Sequence, residues 1–259
     1  MSETALQAAR MAAFAGAIAL ASLLERLRPH AGRGGSVRTN VGLWAVDAVV
    51  LGVVCGGCAC AVGSWAAARG VGLLNLLAAP LWVAVPVTVV GLDLVSYGWH
   101  RANHGVPLLW RFHSVHHADS RFTASTGLRF HPGELLLSLP VRLAAVVALG
   151  ASPVAIVAFE ACFAVANFIE HGDIDLPLGL ERGVDRVVVT PALHRFHHTR
   201  VLADRDHNFG TILAVWDRLL GTYRASTSAV RVDVGLGEVP EPLGLSAALL
   251  LPLRRLPVR

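Results

Sequence analysis

The chain has 259 residues, of which 54% are hydrophobic and 15% charged, and its formal net charge is +4. With a mean hydropathy of +0.56 and apolar residues gathered in blocks of roughly membrane-spanning length, an ordinary water-soluble globule is excluded. Lysine is absent, and the 22 basic residues are all arginines. They cluster at the ends of apolar blocks with no aromatic-studded basic face, which suits membrane-surface anchoring and excludes nucleic-acid binding.

A first membrane helix is expected over 5–24. The start Met1-Ser2-Glu3-Thr4 lacks the basic region of a secretory signal, so this block is expected to stay as an anchor. The connector 25–39 carries Arg26, Arg28, Arg33 and Arg38 among helix-breaking Gly and Pro. A second helix is expected over 41–68, long enough to tilt or project, with Gly52 and Gly56 as a small-xxx-small packing face. It contains Cys55, Cys58 and Cys60. Their C-x2-C spacing could hold a metal or redox pair, but inside an Ala/Val run they read as small packing residues.

After a turn bearing Arg69, a third apolar block over 73–99 runs directly into His100. Residues 105–133 are too polar to span. Two runs, 135–150 and 153–169, flank Ala151-Ser152 and read as a helical hairpin of marginal length that dips in incompletely. The tail 224–259 lacks clear caps, and its leucine-rich stretch 249–253 is expected along the interface. The fold class is therefore all-α, a multi-pass membrane bundle of four to five apolar helices with a histidine-rich helical cap. It forms one domain over 1–259, divided into membrane helices 1–72, a histidine-bearing region 73–223 and a tail 224–259.

The positive-inside rule places the arginine-rich first connector in the cytoplasm. The third helix then runs inward and delivers His100 and His104 at the cytoplasmic face. A hairpin returns the chain to the side it left, so His171 and His194–His198 emerge on that side too.

Eight histidines form three clusters: His100-x3-His104, His113-x2-His116-His117 and His194-x2-His197-His198. On a helix, residues i and i+4 lie about 40° apart and i, i+3, i+4 span roughly 100°. Each cluster thus shows its imidazoles on one face, and neutral imidazole is the commonest ligand of iron, zinc, copper and nickel. Eight rings exceed what one four- to six-coordinate ion uses, so two metals are expected. Soluble di-iron proteins use carboxylates, but none lies within these clusters. Zinc fits the ligand type, yet a hydrolytic zinc needs only three protein ligands and an open position. Two other readings remain at this point, a bis-histidine haem electron carrier and a metal transporter.

Asp93 and Tyr97 lie seven and three residues before His100, on the same helical face. Asp93 reads as a buried carboxylate behind a metal-bound imidazole. Asn103 lies about 80° from that stripe and carries no such inference. His131 and Glu134 read as residues that support a ligand or close a loop. His207 reads as a surface or substrate-side residue and His30 as a bystander. Arg111 and Arg195 flank ligands and read as contacts to lipid headgroups or a reductase, or as plain interface anchors.

Six segments together carry a resemblance. They are Asp93…Tyr97…His100-Arg101…His104, then Leu109-Trp110…His113-x2-His116-His117, Arg129-x-His131-Pro132-x-Glu134, Thr190-Pro191-x2-His194-Arg195-x-His197-His198, Asn208-Phe209-Gly210, and Trp216-Asp217-Arg218…Gly221-Thr222. In order and spacing over 92–223 the chain resembles the fatty acid hydroxylase/sterol desaturase superfamily. The resemblance implies a membrane non-haem di-iron enzyme that uses O2 and electrons to hydroxylate or desaturate a fatty acyl, sterol or isoprenoid lipid, with 73–223 as its catalytic region. It implies that the eight clustered histidines bind two iron ions. It also implies a further ligand between the second and third clusters, a position best filled by His171, with Asn167 one turn earlier on the same face. Here His171-Gly172-Asp173 departs from the His-x-Asn or His-Ser-Asn common in the family. There is no room for a flavin domain and no four-cysteine set for an iron–sulfur cluster, so electrons are expected from a separate ferredoxin-, cytochrome- or reductase-type partner.

Overall fold

Prolines and hydroxyl caps set the helix starts. Ser2 accepts the Ala5 N–H at 3.2 Å and opens α1 (Glu3–Leu27), which ends before Arg28-Pro29. Then come α2 (Val37–Cys55), α3 (Cys58–Ala68), α4 (Leu73–Leu76), α5 (Leu81–Gly105) and α6 (Pro107–His117). A 3-10 turn (Ala124–Leu128) leads to α7 (Pro132–Leu149), α8 (Pro153–Glu170), α9 (Leu178–Val184) and α10 (Pro191–His197). Short α11 (Leu202–Arg205), α12 (Val215–Leu219) and α13 (Leu245–Leu250) complete the chain. Proline opens α6, α7, α8 and α10 in the first turn, where its missing N–H leaves no bond unmade. This computed structural model describes residues 2–31, 35–55, 58–226, 231–239 and 242–254, so Arg33, Gly56 and the Cys55 side chain lie outside the description.

The architecture is all-helical, and β-structure among the described residues is confined to isolated bridges. Five stretches are long and apolar enough to cross a membrane: Glu3–Leu27, Val37–Leu76, Leu81–Gly105, Pro132–Leu149 and Pro153–Glu170. Their outward faces are apolar, with Val53 83% and Trp82 79% exposed, as a lipid-facing surface requires.

Four expectations need correction. The third apolar block does not run unbroken over 73–99; α4 ends at Leu76, and α5 starts only after Pro80, whose ring disfavours helix in the residue before it. Gly52 provides no close approach among the described residues, since nothing there lies within 4 Å of where its Cβ would be. The runs expected to dip incompletely are helices of 18 residues each, about 27 Å long, near the bilayer's hydrocarbon thickness. The stretch 249–253 lies free along an interface only in part: Ala248 and Leu251 are buried with Leu43, Trp110 and Val115, while Leu250 and Leu253 are 58% and 78% exposed.

Helix α1 packs along α8, while α5 packs on α6, α7 and α8, and α3 packs on both α7 and α8. Between α7 and α8 lies a cavity of about 370 Å³, lined also from α1, α2 and α5. Its upper end meets the C-termini of α5 and α8, where α6 and α10 close the bundle.

At the opposite end, the turn after α3 rests on the turn after α7. Gly72 has φ +95°, and a Cβ there would strike the Gly150 backbone, whereas Gly70 at φ +63° faces open space. Gly70→Ala should cost only about 1–2 kcal/mol of left-handed strain. Gly72→Ala should lower the thermal midpoint in detergent by clearly more, because backbone must move to admit the methyl group.

Candidate metal centre

Nine buried imidazoles converge from four elements. His100 and His104 come from the last turns of α5, and His113, His116 and His117 from α6. His171 ends α8, while His194, His197 and His198 come from α10 and its C-cap. They divide into two groups, His100, His104, His113, His117 and His197 in one and His116, His171, His194 and His198 in the other, with the candidate ligand atoms of each group within 4.8 Å of one another. The division follows helical geometry. The i, i+4 pairs 100/104, 113/117 and 194/198 stay together, and the i+3 rings His116 and His197 turn to the other group. The groups abut, since His117 stacks on His198 at 4.1 Å and His113 lies 5.3 Å from His116 between ring centroids.

Hydrogen bonding orients the rings. Four Nδ1 atoms meet backbone carbonyls: His100 with Phe209 at 2.9 Å, His116 with Arg129 at 3.1 Å, His171 with Asn167 at 2.6 Å and His197 with His207 at 2.8 Å. A carbonyl only accepts, so each ring donates from Nδ1 and presents a bare Nε2. His113 Nδ1 lies 2.9 Å from Glu134 Oε1, and His104 Nδ1 lies 3.3 Å from Asp206 Oδ1. Among the described residues, the buried Nε2 atoms of His100, His113, His197 and His198 have no hydrogen-bond partner. His171 Nε2 lies 3.0 Å from His116 Nε2 and 2.9 Å from His194 Nε2. Since the His116 and His171 protons are committed at Nδ1, their facing lone pairs cannot satisfy each other. A cation between them would. The nitrogen donor set fits divalent iron or zinc by ligand type.

Burial keeps these rings in the metal-binding form. Together with neighbouring imidazoles, it holds His116, His117, His194 and His198 well below the ordinary histidine range. Burial also pushes His197 down to about 3 and His171 to about 4, although their carbonyl bonds oppose the shift.

The surrounding residues differ in part from expectation. Asp93 does not back an imidazole. It accepts from Thr211 Oγ1, the Ile212 and Leu213 N–H groups and Trp216 Nε1, and so ties the 211–216 loop to α5. A carboxylate there meets a dense set of donors before any ring is in reach. Tyr97 bonds Thr222 at 2.8 Å, and Thr222 bonds Asp217, which also accepts the Phe209 N–H. Tyr97 and Asp217 therefore hold the segment whose carbonyl orients His100. Asn167 acts on His171 through its carbonyl, while its side chain donates to Gly127 O.

Glu134 accepts from His113 and also from Asn103 Nδ2 at 2.9 Å. Asn103 is a residue that the helical stripe excluded, because α7 packs on that flank. His131 closes a loop, taking the Gly133 N–H and meeting Leu249 O. His207 contributes its carbonyl, and His30 lies beside Asp173 and Asp175. Arg195 is buried and donates to Gly172 O and Ile174 O, so it fixes the turn after His171 instead of meeting headgroups; Arg111 is exposed. Cys58 and Cys60 stay outside both imidazole groups, and Cys60 Sγ lies 3.5 Å from Arg10. Sequence reasoning missed Glu170, whose Oε1 lies 3.8 Å from His171 Nδ1 and 4.0 Å from His194 Nε2. Its position directly before His171 was the available signal.

Residues 85–222 match the fatty acid hydroxylase family. Ornithine lipid hydroxylase OlsE of Rhizobium tropici is 32% identical over 178 residues, which cover 67% of this chain and 52% of that protein. Alkylglycerol monooxygenase of Danio rerio is 30% identical over 148 residues, 54% of this chain and 30% of that protein. Cholesterol 25-hydroxylase of Rattus norvegicus is 28% identical over 153 residues, 58% of this chain and 50% of that protein. The chain thus spans about half the length of the first and third and under a third of the second. No solved structure matches.

Glu134→Leu removes the acceptor behind His113 and should weaken metal binding roughly tenfold to a hundredfold, as measured by chelator competition with helicity unchanged. Acid should destabilise the metal-free protein. Unfolded imidazoles titrate near 6.5, whereas folded His171 and His197 stay neutral down to about 4 and about 3. The unfolded state therefore binds more protons below pH 6.5, so stability is full above that pH and falls as pH drops toward 4. Thermal midpoints in detergent between pH 7.5 and 5 check this.

Proposed function

The chain belongs to the fatty acid hydroxylase family, and from that premise we propose that it is an integral-membrane di-iron oxygenase that hydroxylates or desaturates a lipid C–H position with O2 and electrons from a separate donor. One observation carries the reading: both imidazole groups stand at one end of an apolar cavity of about 370 Å³, within the range of small-molecule sites. His100 and His113 of one group and His116, His171 and His194 of the other line its wall, and Leu92, Phe159 and Phe163 continue it into the bundle. The three relatives are named for an ornithine lipid, an alkylglycerol and cholesterol. An apolar chamber between membrane helices suits a substrate of that broad kind.

In this proposal the two groups hold one iron each, with His171 as the ninth ligand. Bound iron would supply O2 activation and the redox steps that break an unactivated C–H bond. The chain's own part is positional. Phe209, Arg129, Asn167 and His207 carbonyls and the Glu134 carboxylate take the Nδ1 protons of their rings, aim each Nε2 inward and raise its basicity. The phenylalanine-lined cavity keeps water from the reacting carbon and sets which carbon reaches the histidines. Glu170, on the same wall, has a buried Oε2 without a hydrogen-bond partner among the described residues, a position that can hold a proton beside the reacting carbon.

A haem reading fits poorly, because a haem iron takes two axial imidazoles, whereas each group here gathers four or five candidate ligand atoms within 4.8 Å of one another. Transport would place ligands midway along the spans, whereas these stand at one end. The arginines of the first connector support a cytoplasmic placement of that end. Glu25, at the connector's start, accepts the Ala124 and Asp173 N–H groups and so lies on the site's side. Exposed Arg101, Arg111 and Arg121 there offer a cationic face to an acidic electron donor.

The test is anaerobic iron loading of purified protein, then O2 and reductant with a host lipid extract, read by mass spectrometry. Products should be heavier by one oxygen or lighter by two hydrogens. His197→Ala should lose both the two-iron stoichiometry and the product. Product at the wild-type yield would overturn the assignment.

A further inference from the structure

The cavity has a second polar end, remote from the histidines. Arg142 on α7 and Glu160 on α8 line it, and Arg10 on α1 donates from Nε to Glu160 Oε2 at 2.6 Å. Helix rise measures the separation. Along α7, Arg142 lies about 12 Å from Glu134, which bonds His113, and along α8 Glu160 lies about 15 Å from Glu170, at 1.5 Å per residue. In the other direction Arg142 is about 10 Å from Leu149, the end of α7 away from the histidines.

Charge does not balance at this end. Glu160 is engaged by Arg10, whose remaining nitrogens meet Gln7 Oε1 and Cys60 Sγ. Arg142 adds a second cation. It lies in the electrostatic range of Glu160 and Cys58, but among the described residues its guanidinium makes no hydrogen bond. Two guanidinium groups thus share one carboxylate inside the span, where an incompletely paired charge is costly. An additional anion would complete the set, and the planar fork of arginine fits carboxylate and phosphate bidentately.

We propose that Arg142 binds the carboxylate or phosphate of an anionic amphiphile whose chain extends through the cavity to the histidines. This deepens the oxygenase reading and rests on its identification of the cavity as the substrate site. The headgroup faces the leaflet opposite the histidines, and the oxidised carbon lies along the tail, set by the 12–15 Å helix-rise distance.

The test needs no turnover. Full-length protein in phosphatidylcholine nanodiscs is titrated with radiolabelled palmitate, then with methyl palmitate, palmitoyl lysophosphatidate and monopalmitin as competitors. A charge-assisted bond predicts that the anionic probes bind at least about tenfold tighter than their neutral counterparts. Arg142→Gln should abolish that preference while leaving neutral-probe binding and metal content unchanged. Preference for only one of the two anions supports the site and identifies its ligand. Equal binding of acid and ester to the wild type, or a preference that survives Arg142→Gln, overturns it. A palmitate carrying a diazirine beside its carboxylate provides a readout that needs no variant. Labelling around 142 and 160 supports the assignment, and labelling confined to the histidine end overturns it. Anion preference without O2-dependent product would count against the oxygenase reading and leave this site standing.

Discussion

Every imidazole has one proton and one lone pair, and enclosing nine of them requires a destination for each. Five protons go outward, from Nδ1 of His100, His116, His171 and His197 to backbone carbonyls and from His113 to Glu134, while the buried Nδ1 atoms of His117, His194 and His198 have no partner among the described residues. The lone pairs go inward, where those of His116 and His171 face each other at 3.0 Å. Such an interior is tolerable only as a cation site, because a buried acceptor without a donor bears its full desolvation cost. The helices, caps and loops are arranged to maintain this polarity of proton outside and lone pair inside.

Carboxylates maintain it one layer further out. Asp217 takes the Phe209 and Gly210 N–H groups and so fixes the carbonyl that meets His100. Asp93 gathers donors from 211–216 and anchors the same segment to α5. Asp119 bonds Asn40 and Thr126, while Arg129, fully buried, reaches Val115 O and Asn40, so α2 is coupled to the loop that leads from α6 to α7. These groups touch no metal position, yet the ring orientations depend on them.

Below this cap the bundle changes character. Helices α7 and α8 are joined by only three residues, but α3 and α5 pack against both, and the cavity opens between them. It carries charged groups at its two ends and a mostly apolar wall between them, which gives an amphiphile both a direction and a limit of travel. The exposed apolar flanks of the spans make lateral entry from the bilayer the natural route for such a ligand.

The sequence alone determined the all-helical membrane class and the gathering of three histidine clusters at one end, because hydropathy and helical spacing are local properties. The resemblance extended this to His171. The sequence could not say that each cluster divides between two groups, that Asn103 shares Glu134 with His113, or that Asp93 serves a loop and not a ring. It also gave no sign that Arg195 is buried or that Arg142 opens into the cavity. Those outcomes depend on which helix flank meets which neighbour, and only the folded bundle decides that. Carboxylates, amides and guanidinium groups bond whatever donor or acceptor packing brings within about 3 Å, and residues from 21 to 123 positions apart supply it.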